Sequence, residues 1–595
     1  MLIPDKLQNL RAKMLEHGID ACVIPYSDPH VSEYPAPHWK FRDWLSGFTG
    51  SAGLLVVGLD EAGLWTDSRY YLQAEDQLKG TGIELFKEGL PGVPSYIDWL
   101  CEILLPGSKV AFNGETMPLS QSRVLAKGLK AYNIQITINF DIVEEIWEGR
   151  PALPDNPVII HEDKWISASR NEKLTMVRKE MRNKKVSHYL TGSLDDIAWV
   201  LNLRGTDVAY NPVFHAFLII EHDHTKLFIN PHKLTAQIAQ KLLVDEVSVS
   251  IYENIYQHLQ EISQERSIYF DPERTTVGLF SAIPAKATKV EGISIITQLK
   301  AQKNEREVEN LKMTLVNDGV AMVEFIHWLE ENVPTGKVTE LSAAKQLKKF
   351  RSQQPNFMGE SFSTISGYAD HGAIVHYSAT EESDALLKPE GLFLIDSGGQ
   401  YLSGTTDITR TIPLGAASKQ AKKDYTLVLK GHIALAQATF PYGSRGVHID
   451  LLARKALWEN GLNYGHGTGH GIGYYLNVHE GPQSIRPQDN GIQIEPGMIT
   501  SNEPGVYRKG EYGIRIENLI FCKEKMKTEF GLFLEFETLT LCPMDKDLVE
   551  VSLLTQNEIE WFDNYHEKVY EALEPKVRPE LKNWLKEKTA PLQKG

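Results

Sequence analysis

The chain has 595 residues, too many for one hydrophobic core, and ~100–200 residues per domain points to three or more domains. Its 42% hydrophobic and 24% charged residues, with no biased tract, describe a globular protein rather than a disordered or fibrous one. The 78 acidic and 62 basic side chains give a net charge of −16, which repels polyphosphate backbones and anionic membrane surfaces, so nucleic acid and membrane partners are excluded from the expected set.

The opening "MLIPDKLQNLRAKMLEHGID" lacks the apolar stretch of a signal peptide and predicts an amphipathic helix. No later run reaches membrane-spanning length. The four cysteines, Cys22, Cys101, Cys522 and Cys542, have no framework spacing, which implies a reducing compartment and a cytoplasmic location. A strand-and-helix region then runs to "EGRPALPDNP" (148–157), where three prolines and a glycine predict a linker. The basic run "RKEMRNKK" (178–185) reads as a solvated helix face. Residues 41–71 ("FRDWLSGFTGSAGLLVVGLDEAGLWTDSRYY") and 195–230 share a rhythm of a Trp-Leu or Trp-Val segment, a glycine and then strands. Two α/β domains of similar topology would produce this without a true repeat.

From residue 304, Val308, Leu311, Leu315, Gly319, Met322 and Ile326 recur at three- and four-residue steps, so a long amphipathic helix opens a third unit. "GLFLIDSGGQYLSGTTDITRTIPLG" (391–415) predicts an antiparallel strand pair, and "KQAKKDYTLVLKGHIALAQATF" (419–440) a helix. The expected fold class is therefore α/β followed by an α+β catalytic unit, with domains at 1–153, 154–303 and 304–595. Beyond about residue 545 the tail is helical and rich in tryptophan and tyrosine, which must pack on its own domain or on a partner subunit.

The third unit carries the chemistry. A carboxylate inside an apolar strand is costly unless a cation or hydrogen bonds compensate it. Asp396 ends "LFLID", Asp407 lies in "TTDITRT", Glu517 interrupts "YGIRIENLIF", and Glu503 follows "GMITSN". Each alone could be salt-bridged; together they carry −4, which two divalent cations would cancel. A donor set dominated by oxygen, with an imidazole and no thiolate, favours manganese or cobalt over structural zinc. The glycine-rich "YGHGTGHGIG" (464–473) and "NVHEG" (477–481) offer His466, His470 and His479. This segment does not match the dinucleotide fingerprint, and Gln483 stands where a zinc-protease motif needs histidine.

"LIDSGGQYLSGTTDITRT", "HGTGHGIG", "NVHEGP", "TSNEPGVY" and "GIRIENL" resemble, in this order, the pita-bread metallopeptidase family that contains methionine aminopeptidase, prolidase and Xaa-Pro aminopeptidase. The likeness is greatest to the three-domain cytosolic Xaa-Pro aminopeptidases and extends through "SEYPAPHWKFRDWLSGFTGSAG" and "DDIAWVLNLRGTDVAYNPVF". It implies two creatinase-like N-terminal domains and a C-terminal pita-bread catalytic domain. It further implies metal ligands at Asp396, Asp407, His470, Glu503 and Glu517, with Asp407 and Glu517 bridging two ions. His376, His466 and His479 then meet the substrate, Glu503 moves a proton, and Tyr507 and Arg515 orient the metal-bound carboxylates. The implied activity is hydrolysis of the N-terminal Xaa-Pro bond of peptides by a hydroxide bridging two metal ions, manganese being expected, in a homodimer. The alternative is a Xaa-Pro dipeptidase acting on free dipeptides.

Overall fold

The computed structural model describes residues 1–592. They form two compact units, one of residues 1–162 and 168–297, the other of 163–167 and the chain from 298 onwards.

The first unit holds both expected N-terminal α/β domains. The first sheet runs in the order Glu84–Lys87, Ala62–Thr66, Leu54–Gly58, Ala21–Pro25, Lys109–Ala111, Gln135–Thr137. The second runs Val247–Ser250, Thr225–Phe228, Phe217–Glu221, His188–Thr191, Ser267–Phe270, Thr288–Glu291. Strand order and direction are the same in both: each first strand pairs antiparallel with the second and parallel with the fifth. The shared rhythm of 41–71 and 195–230 therefore reflects a common topology.

Alternation along Ala21–Pro25 buries both faces of the first sheet. Ala21 and Val23 join a core with Trp65, Phe112, Leu190, Phe217 and Ile268, which draws on both sheets. Cys22 and Ile24 face the opposite way, onto Leu7, Leu10 and Met14 of the helix Ile3–Glu16. One core spanning both sheets explains why the two domains form a single compact unit. In the basic run, Arg178 and Met181 are buried, and Arg178 donates to the Glu221 carbonyl, so that helix face is not wholly solvated. The four cysteines are unpaired, and no helix among the described residues is long and apolar enough to cross a membrane.

The second unit opens with the predicted long helix, Glu305–Asn332, started by a capping box between Asn304 and Glu307. It contains an antiparallel sheet Ile365–Tyr368, Leu392–Ser397, Ile408–Pro413 and a six-stranded sheet in the order Thr439–Pro441, Gly531–Thr538, Asn518–Thr528, Ile499–Asn502, Gly469–Gly471, Glu480–Ile485. A hairpin, Gly505–Arg508 with Tyr512–Arg515, interrupts the six-stranded sheet in sequence, between Ile499–Asn502 and Asn518–Thr528.

The tail packs on its own unit. Phe562, Tyr565, Val569 and Leu573 of the helix Gln556–Leu573 join a core with Tyr425, Val428 and Ile433 of the helix Lys419–Ala436. Arg410, fully buried, donates to the carbonyls of Cys542, Pro543 and Glu517 and to the Tyr565 hydroxyl, which ties the tail to the strands of the site. These buried tail residues therefore need no partner subunit to cover them.

Candidate active site

The acidic residues converge from the ends of strands. Asp396 lies in Leu392–Ser397, with Thr409 of Ile408–Pro413 directly opposite. Asp407 stands one residue before that partner strand rather than inside it, because the chain has just left the short strand Gly404–Thr405. His470 is the middle residue of Gly469–Gly471, and Glu503 follows Ile499–Asn502. "YGIRIENLIF" is two strands in different sheets, with Glu517 in the break. Arg515 and Glu517 therefore do not share a strand face; they meet through Thr409, which accepts from Arg515 Nε at 3.2 Å and donates to Glu517 Oε2 at 2.7 Å.

Ligand atoms of Asp407, His470 and Glu517 lie within 4.8 Å of one another. His470 Nε2 is 3.4 Å from Asp407 Oδ2 and 3.5 Å from Glu503 Oε1. His470 Nδ1 contacts the Gly471 carbonyl at 3.0 Å, which can only accept, so Nδ1 carries the hydrogen and a neutral ring turns its Nε2 lone pair towards two carboxylates. A positive charge has to stand between them, either a proton on Nε2 or a metal cation. Burial opposes protonation of His470, yet its hydrogen bond to Asp407 and the charge of Glu503 push it up to about 9.

The carboxylates show the same deficit of positive charge. Burial pushes Asp396, Glu503 and Glu517 up, Glu517 well above the usual range, and Asp407 adds repulsion to each. Asp396 Oδ2 accepts from Arg515 Nη2 at 2.6 Å, while its Oδ1 is buried and has no hydrogen-bond partner among the described residues. One guanidinium cannot neutralise four carboxylates. An orphaned oxygen, an imidazole nitrogen facing two carboxylates, and donors of oxygen and imidazole type fit a pair of divalent cations.

The other predicted residues surround this set. Arg515 Nη1 donates to the Tyr507 hydroxyl at 2.6 Å, and that hydroxyl is 2.7 Å from His466 Nε2. His466 Nδ1 contacts the Gly467 carbonyl at 2.7 Å, so Nε2 of the neutral ring accepts from Tyr507. Burial pushes Tyr507 up to about 12, which keeps its proton in place. His466 Nδ1 is 3.9 Å from Glu503 Oε2. The His479 ring sits edge-on to His470 with centroids 4.3 Å apart. His376 lies in a half-buried turn, and the preceding carbonyl, of Val375, is 3.4 Å from Arg515 Nη2.

The glycines around His470 are required by the strands beside them. A Cβ on Gly469 would stand 2.0 Å from the Ser501 carbonyl oxygen, and one on Gly471 would stand 2.1 Å from that of Glu480. Neighbouring strands crowd these positions. Thr409 escaped the sequence reading. Its signal was period-two alternation, since Asp407, Thr409 and Thr411 fall on one side and Ile408 and Ile412 on the other.

The fold and the carboxylate–imidazole centre define a metallopeptidase, and the chain belongs to metallopeptidase family M24, whose model matches residues 311–524. The creatinase/prolidase N-terminal domain matches at 6–142 and again at 149–307, and the C-terminal region of the family at 532–592. The chain is 39% identical over 602 residues to the probable Xaa-Pro aminopeptidase P of Laccaria bicolor, covering 99% of this chain and 93% of that protein. It is 38% identical to aminopeptidase P2 of Arabidopsis thaliana over 100% of this chain and 89% of that one. The crystal structure of X-prolyl aminopeptidase from Caenorhabditis elegans, described as a cytosolic enzyme with a di-nuclear active site, superposes with a TM-score of 0.95 at 35% identity, covering 99% of this chain and 100% of that one.

Proposed function

We propose that the protein is a dinuclear metalloaminopeptidase that removes the N-terminal residue from peptides whose second residue is proline. The observation that carries this reading is similarity along 99% of the chain to Xaa-Pro aminopeptidases, both creatinase-like domains included. Asp396, Asp407, His470, Glu503 and Glu517 would hold the two ions. When bound, two divalent cations supply a water activated at neutral pH and a Lewis acid for the scissile carbonyl.

The chain's own groups do the rest. Glu503 takes the proton of the attacking water and delivers it to the leaving proline nitrogen. His479 donates to the developing oxyanion, and His376 and His466 bound the proline side of the pocket. Tyr507 and Arg515 hold His466 and Asp396 in place, so their orientation costs nothing during turnover. The amide to proline has no N–H and its ring is locked beside the scissile carbon, which is why a dedicated pocket is required. The free α-amine must reach the carboxylate-rich end of the site, which limits attack to the first peptide bond.

Manganese is the proposed metal, on the strength of four carboxylates, one imidazole and no thiolate. A cytoplasmic location agrees with four unpaired cysteines. A homodimer is proposed from the family resemblance alone; sedimentation of the metal-loaded protein tests it, and a monomer at micromolar concentration would overturn it.

The test of function is a peptide panel on metal-reconstituted protein. Arg-Pro-Pro should be cleaved with higher kcat/KM than Arg-Pro, Arg-Ala-Pro should be nearly inert, and N-acetylated peptides should not react. If Arg-Pro is the best substrate and a third residue abolishes turnover, the protein is a dipeptidase instead.

A further inference from the structure

Glu340 is the first residue of the helix Glu340–Ser352 and is fully buried. An ionised carboxylate there needs donors, and it has them from both ends of the segment that carries His376. On the near side, Glu340 Oε1 accepts from Tyr368 N at 2.7 Å and from His371 Nδ1 at 2.9 Å. On the far side, Oε2 accepts from the Tyr377 hydroxyl at 2.9 Å and from Ala385 N at 3.1 Å. The backbone repeats the tie: Glu340 N donates to the Ala385 carbonyl at 3.0 Å, and Leu341 N to Asp384 Oδ1 at 2.9 Å. The His371 and Tyr377 rings stack with centroids 4.5 Å apart, so both side-chain donors form one block against the carboxylate.

The other side of the segment rests on the site. Gly372 and Gly513 meet backbone to backbone, since a Cβ on Gly513 would lie 1.7 Å from the Gly372 carbonyl oxygen, and the Val375 carbonyl faces Arg515. His376 sits between these two anchorages, in a stretch with no strand or helix of its own to hold it.

We propose that Glu340 is a positioning residue for His376, acting as a clasp that closes residues 368–385 into a fixed loop over the proline side of the active site. This rests on the reading that His376 meets the substrate. A glutamine at 340 keeps the shape but turns an NH2 group towards donors, so part of the clasp must open.

The test is a double-mutant cycle of Glu340→Gln and His376→Ala on the metal-reconstituted enzyme, with kcat and KM for Arg-Pro-Pro and bound metal measured for each. Glu340→Gln should lower kcat/KM by about tenfold or more at unchanged metal content, and add less than about twofold to the loss already caused by His376→Ala. Tyr377→Phe, which removes one donor only, should show the same non-additivity with a smaller loss and covers the case in which Glu340→Gln fails to fold. Multiplicative losses in both cycles, or loss of metal in the single variants, would overturn the proposal and leave His376 in its role. A His376→Ala enzyme with unchanged kcat/KM would instead overturn the substrate reading of His376.

Discussion

Arg515 Nη2 donates to Asp396 Oδ2 at 2.6 Å with both side chains buried, and the same guanidinium holds Tyr507 through Nη1 at 2.6 Å. One cation thus fixes the Asp396 carboxylate and the hydroxyl that orients His466. Arg515→Lys keeps the charge but cannot serve both partners from one planar fork. Turnover should fall by about tenfold to a hundredfold, with metal affinity affected less than in Asp407→Asn, which removes a charge from the residues proposed to hold the ions. Manganese titration of the two metal-free proteins checks the order.

Tyr507→Phe isolates the other arm. It removes the donor to His466 Nε2 and an acceptor for Arg515 while leaving every carboxylate in place. Bound metal should stay at the wild-type level and kcat should drop by about tenfold, read from metal analysis and steady-state kinetics on the same preparation.

The histidines should separate by what they lose. His470→Ala should lose metal as well as activity, because its Nε2 faces both Asp407 and Glu503. His466→Ala should keep its metal and lose turnover, since both ring nitrogens already have partners in Gly467 and Tyr507. A metal-depleted His466→Ala protein contradicts the assignment.

The tail contributes stability to the catalytic unit. Tyr565 is buried, accepts from Arg410 at 3.0 Å and donates to the Cys542 carbonyl at 2.8 Å. Tyr565→Phe should cost about 1–3 kcal/mol in urea unfolding, because the Cys542 N–H loses its acceptor while Arg410 and the Cys542 carbonyl keep each other. Truncation before Gln556 uncovers Tyr425 and Val428 as well and should yield aggregated protein.

Acid should loosen the tail through His566. Burial lowers its pKa from 6.5 to about 4, and its ring accepts from Met544 N and contacts the Phe562 carbonyl. A folded pKa below the unfolded one means the unfolded chain binds the proton first. Stability is then present above about 6.5 and is lost as the pH falls towards 4, by about 3 kcal/mol at most. Melting temperatures of the metal-free protein between about pH 7.5 and 5 should fall more steeply for wild type than for His566→Gln.

The candidate metal centre is legible in the sequence because its residues break a local rule. Asp396 at the end of "LFLID" is a charge in an apolar strand, and such a violation is visible without knowing what faces it. The long helix from 304 and the paired strands of 391–415 were legible for a related reason, since periods of 3.6 and 2 are written into neighbouring residues. Glu340 and Thr409 break no rule. A glutamate in the first turn of a helix and a threonine in a strand are ordinary, and their partners are set by which strands and loops lie together.

Residue types, their order and the main helices and strands were determined by the sequence, and with them the class of chemistry. Tertiary structure alone decided that Arg515 grips Asp396 across 119 residues of chain, that Arg515 reaches Glu517 through Thr409, that the tail packs on its own unit, and that the two N-terminal sheets share one core. The physical reason is range. Backbone periodicity and burial cost act over a few residues and leave a pattern in the string, whereas a hydrogen bond between distant segments depends on how whole sheets pack and leaves no mark at either residue.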